Sequence, residues 1–162
     1  MQLPTRYEAF WAIAVQAHPA LERGRFLEAF AFGDSEALAN ELAALVLAGT
    51  KRATAALVWG NEHDGKPQPR PGDLSIVTTW QGEPLCLIET TAVEVVPFED
   101  VSAEFARTEG EGDGSLAFWR REHAAYFARE CERIGRTPDA RMPVVCERFR
   151  VLYPPPAGDR PG

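Results

Sequence analysis

A four-residue turn, Gln81-Gly82-Glu83-Pro84, separates two strand-like runs, LSIVTTW (74–80) and LCLIETTAVEVV (85–96). Glycine and proline mark the turn. A connection this short cannot carry a parallel crossover, which takes about a dozen residues or more. The two runs therefore pair antiparallel, and the middle of the chain is committed to a β-hairpin. The second run is long enough to bend. TAALVW (54–59) reads as a strand before the hairpin, and PVVCERFRVLY (143–153) as a last strand after it. Between them, 61–73 reads as turn and loop by its Gly, Pro, Asn and Asp content.

Helical periodicity occupies the remaining stretches. In 5–17, Tyr7, Phe10, Trp11 and Ala14 share one face, and His18-Pro19 ends the segment. LEAFAFGDSEALANELAALVLAG holds a second helix, with Asp34 or Ser35 as N-cap, Leu38, Leu42, Leu45 and Leu47 on its apolar face, and Gly49 just past its end. PFEDVSAEFARTEG holds a short helix. SLAFWRREHAAYFARECERIG (115–135) is a strong one, capped by Ser115 and stopped by Gly135. Helices, then strands, then a helix, then a strand predict an α+β domain around a mainly antiparallel sheet, curled into a small barrel and flanked by helices. The chain has 162 residues, room for one domain: 1–153, with an N-terminal helical region at 1–25 and a disordered, proline-rich tail at 154–162.

The net charge of −7 argues against coating long nucleic acid by charge alone, which needs many Lys and Arg contacts to phosphate. It favours a small ligand, or a short piece of nucleic acid in one pocket. No apolar run approaches the ~20 residues that span a bilayer. MQLPTRYEAF has no basic region followed by an apolar stretch, so no secretory signal is expected. Cys86, Cys131 and Cys146 are odd in number and widely spaced, as in a cytoplasmic protein with reduced thiols.

The stretch AGTKRATAAL (48–57) puts Lys51, Arg52 and Thr54 where a helix hands over to a strand. Either the two cations offset the negative end of the helix dipole, or they line a site. There, a lysine against an apolar wall serves as base or oxyanion partner, and a threonine hydroxyl as nucleophile or donor. Glu89, inside an apolar strand, is either solvent-facing or held in a pocket. In EGEGDGS (109–115) carboxylates alternate with glycines. This is no EF-hand loop, because position twelve is Arg120 rather than a glutamate. Glu109 or Glu111 is its candidate catalytic carboxylate. Trp119, His123 and Tyr126 share a helical stripe. His18, His63 and His123 are scattered without zinc-site spacing, so no metal site is expected. There is no phosphate-binding glycine loop and no nucleophile elbow.

In order along the chain, AGTKRAT, RPGDLSIV, LCLIETTAVEVVPFEDV, EFARTEGEGDGSLAFWRREHAAYF and VVCERFRVLY resemble an ASCH domain of the longer bacterial branch, over roughly residues 26–153. The resemblance implies a PUA-like β-barrel fold and two activity classes. A small bacterial member removes the acetyl group of acetylcytidine. By motif, its G-x-K-x-x-T lysine and threonine fall on Lys51 and Thr54, and its glutamate on Glu109. The longer branch is similar to a metal-dependent ribonuclease acting on single-stranded RNA. The expected partner is RNA or a modified nucleoside, with Arg52, Glu89, Ser115, Trp119 and His123 as candidate substrate-binding residues. No cofactor is expected, except a divalent cation for a ribonuclease. A third reading is a binding module that stacks a base on Trp59, Trp80 or Trp119. The sequence leaves the oligomeric state open.

Overall fold

The hairpin forms as its turn requires. Leu74–Thr78 (β3) and Pro84–Pro97 (β4) pair antiparallel, with Ile76 opposite Leu87 and Val77 opposite Cys86. The structure is a computed structural model and describes residues 2–157. Residues 158–162 of the expected tail lie outside that range. Around the hairpin stand three further strands, Phe26–Phe30 (β1), Ala53–Leu57 (β2) and Pro143–Tyr153 (β5), in the order β1-β3-β4-β5-β2. The β3–β4, β4–β5 and β5–β2 pairings are antiparallel, whereas β1 and β3 are parallel. The domain is therefore α+β, with a mixed five-stranded sheet flanked by helices. The expected closure into a barrel is not shown: β1 and β2 stand at opposite edges and are not paired to each other. The β4 register against β5 shifts between Leu87 and Ile88 and again between Thr90 and Ala92, and such bulges bend a strand of this length.

Two local expectations are corrected. FLEAF lay in the stretch assigned to the second helix and its approach, but it is β1. Its parallel partner is remote in sequence, beyond the helix Glu36–Ala48, so no short-range pattern marks the pairing. TAALVW does not run to 59: β2 ends at Leu57, and Val58–His63 forms a short helix (α3) within the predicted strand and loop. Gly60 lets α3 approach Glu130 of the long C-terminal helix closely, since an added Cβ would stand 2.6 Å from Glu130 Oε1.

The remaining helices are Glu8–Ala17 (α1), Glu36–Ala48 (α2), Ala103–Glu109 (α4) and Leu116–Ile134 (α5). Ser35, Ser102 and Ser115 cap α2, α4 and α5, each hydroxyl accepting from the backbone N–H three residues on. The two faces of β3 and β4 are covered by different helices. Leu74, Ile76 and Leu87 pack with Tyr7, Trp11 and Ala14 of the N-terminal segment. Val77, Cys86 and Ile88 pack with Leu42 and Val46 of α2. A third cluster joins β2 and β5 to α4 and α5 through Ala53, Phe105, Trp119, Phe127 and Val144. Side chains of this size each contribute about 1.5–3 kcal/mol when fully buried. The three cysteines are free and buried. Among the described residues no helix is long and apolar enough to cross a membrane.

Candidate functional site

Helix α2 ends at Gly49, and the N–H groups of Thr50 and Lys51 both donate to Leu45 O, at 2.9 and 3.1 Å. The chain then turns before β2 begins. Lys51 therefore lies outside the alternating pattern of the strand, and its side chain runs inward and is 1% exposed. Its ammonium does not return to the α2 carbonyls. It donates to Ala53 O at 2.6 Å, to Glu109 Oε2 at 2.8 Å and to Glu111 Oε2 at 3.4 Å. The pair Lys51–Glu109 is fully buried.

Helix α4 delivers Glu109 to this point by docking its C-terminal end on the segment before β2. Arg52 N–H donates to Thr108 O at 3.0 Å. Gly110 takes φ +68°, and a Cβ there would lie 2.4 Å from Thr50 O. Both the backbone conformation and the space require glycine. Gly110→Ala is expected to destabilise the fold by about 1–3 kcal/mol or more. Urea denaturation checks it, and an unchanged midpoint would refute the close docking.

Helix α5 supplies the other side of the cluster. Trp119 Nε1–H donates to Glu109 Oε1 at 2.8 Å. His123 stacks on Trp119, centroids 4.1 Å apart and planes 13° from parallel. Its Nδ1 lies 2.9 Å from Trp119 O. A carbonyl only accepts, so Nδ1 carries hydrogen and Nε2 faces the carboxylates. That nitrogen is 3.4 Å from Glu109 Oε1 and 3.9 Å from Glu111 Oε2.

The charges divide unequally. Burial alone would raise Glu109, but Lys51 and hydrogen bonding to Glu111 and His123 outweigh it, holding the carboxyl well below the usual range. Burial pushes Glu111 up to about 7, helped by the neighbouring Glu109. Burial would lower His123, yet Glu109 and Glu111 raise it. Within this cluster Glu109 is thus held as the anion, and Glu111 is the carboxyl pushed toward neutrality.

This cluster opens on a cavity of about 410 Å³, of a size that holds a small ligand. Thr54 and Glu147, opposite each other across the β2–β5 pairing, line it, with Lys51, Glu109, Glu111 and His123 at the cluster end. Phe30, Phe32 and Tyr126 supply aromatic wall. Of the residues singled out in the sequence, the structure brings Lys51, Thr54, Glu109, Glu111, His123 and Tyr126 to this one cavity. Trp119 lies behind it, 2% exposed, with His123 on one side and Phe98 also against its ring. Arg52 is exposed outside the lining, and Ser115 caps α5. Glu89 is held between Arg25 and Arg150 and does not line the cavity. Trp59 lies under the Arg136 guanidinium, and Trp80, 45% exposed, is away from the lining. Glu147 escaped the sequence reading, because Cys-Glu-Arg inside a strand gives no sign that its glutamate faces a cavity.

Glu109, Glu111 and His123 each bring one ligand atom within 4.8 Å of the others, the one group among the described residues close enough to hold a metal ion. The scattered spacing of the histidines did not foreshadow it, since it takes one histidine and two carboxylates. The set fits a cation poorly. Lys51 already donates to both carboxylates, and a second positive charge would have to displace its ammonium.

The fold is a helix-flanked mixed sheet, with one buried lysine on an acidic cavity. The chain belongs to the ASCH domain family, whose model matches residues 28–153. It is similar to the ASCH domain of Lactobacillus crispatus, at 36% identity and a TM-score of 0.81, over 93% of this chain and 96% of that one. It is also similar to a protein of Enterococcus faecalis, at 29% identity and a TM-score of 0.79, over 91% and 90% of the two chains. Among curated proteins none matches the chain.

Proposed function

We propose that the cavity binds a modified nucleoside and hydrolyses an exocyclic amide of the acetylcytidine type. One observation carries the reading: a buried lysine, anchored by Glu109, on the same cavity as the Thr54 hydroxyl. Water or the Thr54 hydroxyl attacks the acyl carbon, and the Lys51 ammonium, turning the N–H of its 3.4 Å contact away from Glu111, stabilises the oxyanion that forms. Glu111 takes the proton of the nucleophile and gives it to the departing amine as the C–N bond breaks. Water attack releases acetate and the free amino base directly. Attack by Thr54 adds an acyl-enzyme that a water then hydrolyses. Acidic side chains, among them Glu28, Glu109 and Glu122, outnumber Lys51, Lys66 and Arg129 in the lining. That balance suits an uncharged nucleoside better than a phosphate backbone, and it weighs against the ribonuclease reading.

The test incubates the protein with acetylcytidine and, separately, with a single-stranded RNA, each with and without EDTA. Cytidine release is expected from wild type, insensitive to EDTA. It should fall by about a hundredfold or more in Thr54→Val and in Glu111→Gln. Wild-type protein that releases no cytidine, or full activity in both variants, would sink the proposal. RNA cleavage lost on adding EDTA would replace it with a metal-dependent nuclease, and binding without product would make the cavity a recognition module.

A further inference from the structure

Glu147 is the strongest group in the cavity that the chemistry above does not use. It projects from the middle of β5, with Thr54 of β2 opposite it in register. Directly opposed residues on one sheet face hold their Cβ atoms about 4.5–5.5 Å apart. Thr90 of β4 donates its hydroxyl to Glu147 Oε2 at 3.4 Å. No other hydrogen bond to this carboxyl is formed among the described residues, and no side-chain oxygen is both fully buried and unpartnered. Oε1 is therefore open to the cavity.

The surroundings favour a neutral carboxyl. Burial pushes it up to about 7; Glu28 from β1 and Asp73 before β3 raise it, whereas the Thr90 hydrogen bond and Lys51 lower it. With Oε2 beside the Thr90 hydroxyl, an acid proton on Oε1 faces the cavity. The open Oε1 thus faces the cavity next to the Thr54 hydroxyl, and Oε2, beside Thr90, keeps a second lone pair as acceptor.

We infer that Glu147 is the base-reading residue of the cavity. Its neutral carboxyl donates from Oε1 to an unprotonated ring nitrogen and accepts at Oε2 from the adjacent exocyclic N–H of an aminopyrimidine. The acyl group on that exocyclic nitrogen then lies toward Thr54. This rests on the amide-hydrolysis reading for the position of the acyl group, but base recognition is measured without turnover. A base lacking the ring-nitrogen acceptor leaves the acid proton unmade in a partly dry site, which is costly.

The probes are cytidine and 3-deazacytidine, in which a C–H replaces the acceptor nitrogen, titrated calorimetrically into wild type, Glu147→Gln and Glu147→Leu. Wild type is expected to prefer cytidine by about tenfold or more at pH 6. Its affinity for cytidine should fall about tenfold between pH 6 and 8, as the neutral fraction of a group titrating at about 7 declines. Glu147→Gln keeps a donor beside an acceptor. It should retain the preference and lose the part of the pH dependence due to this carboxyl, leaving only what Glu111 and His123 contribute. Glu147→Leu should bind both nucleosides alike. Equal binding of the two by wild type, undiminished discrimination in Glu147→Leu, an unchanged pH profile in Glu147→Gln, or no binding of either nucleoside would each overturn the inference. Discrimination without cytidine release from acetylcytidine would keep Glu147 as the reader and remove the hydrolase. Release with an unchanged KM in Glu147→Leu would do the reverse.

Discussion

Lys51→Met is expected to lower the stability of the domain by about 3–5 kcal/mol, the cost of leaving one charge of a buried pair without its partner. The lysine and Glu109 are each 1% exposed and 2.8 Å apart. Without the ammonium, Glu109 keeps Trp119 Nε1–H, the neighbouring His123 and its hydrogen bond to Glu111. It must then take up a proton, or stand ionised in a dry site. The double variant Lys51→Met/Glu109→Gln should recover most of the loss, since its amide is neutral and still accepts from Trp119. Urea unfolding of the four proteins gives the coupling energy directly. Additive effects, or a single variant as stable as wild type, would mean that the pair does not anchor the site. Recovery of stability without recovery of turnover would separate the two roles of Lys51.

Glu147→Gln is expected to be more stable than wild type at pH 8 and to match it only below about pH 4. The Glu147 carboxyl is raised from 4.5 to about 7 in the folded protein, first by burial. Between those values the native state holds a proton that the unfolded chain has released. Stability therefore falls as pH rises through this window and levels off above it. A displacement of that size is worth roughly 3 kcal/mol at most, and partial exposure reduces it. An advantage of about 1–3 kcal/mol at pH 8 is the expected reading. Glu111, raised to about 7, contributes in the same direction and window. Glu109 has the opposite sign: its lowered pKa gives stability that is present at neutral pH and lost in acid. His123, raised, adds stability at low pH that disappears as pH climbs through its folded value. Unfolding free energies at several pH values test the assignment. A variant whose advantage is constant with pH would show that the carboxyl does not titrate there.

The parts of this molecule that were legible in its sequence are those decided within a few residues. The hairpin followed from a short turn, α5 from a serine, an apolar stripe and Gly135, and the end of α2 from Gly49. Lys51 and Thr54 drew notice because cations and a hydroxyl sit oddly at a helix–strand junction, and a family resemblance gave them roles. The remainder depended on partners distant in the chain. FLEAF is a strand only because β3 lies beside it in parallel. Glu147 faces a cavity only because β2 and β4 place Thr54 and Thr90 next to it. The division of labour between Glu109 and Glu111 is invisible in EGEGDGS. It arises from how deeply each is buried and from which donors α5 and Lys51 present.

The position of β5 has a consequence for synthesis. This last strand lies between β4 and β2, and among the described residues β2 pairs with no other strand. On the ribosome, β3 and β4 can join as soon as both emerge, being neighbours in sequence. Residues 53–57, made earlier, have no ladder until 143–153 arrive. The nascent chain therefore carries ATAAL, an apolar segment with open backbone groups, through the whole of α4 and α5. Such a segment is a target for holding chaperones and for mispairing with other chains. The wall that bears Thr54 is spelled out before most of the sheet and is completed last.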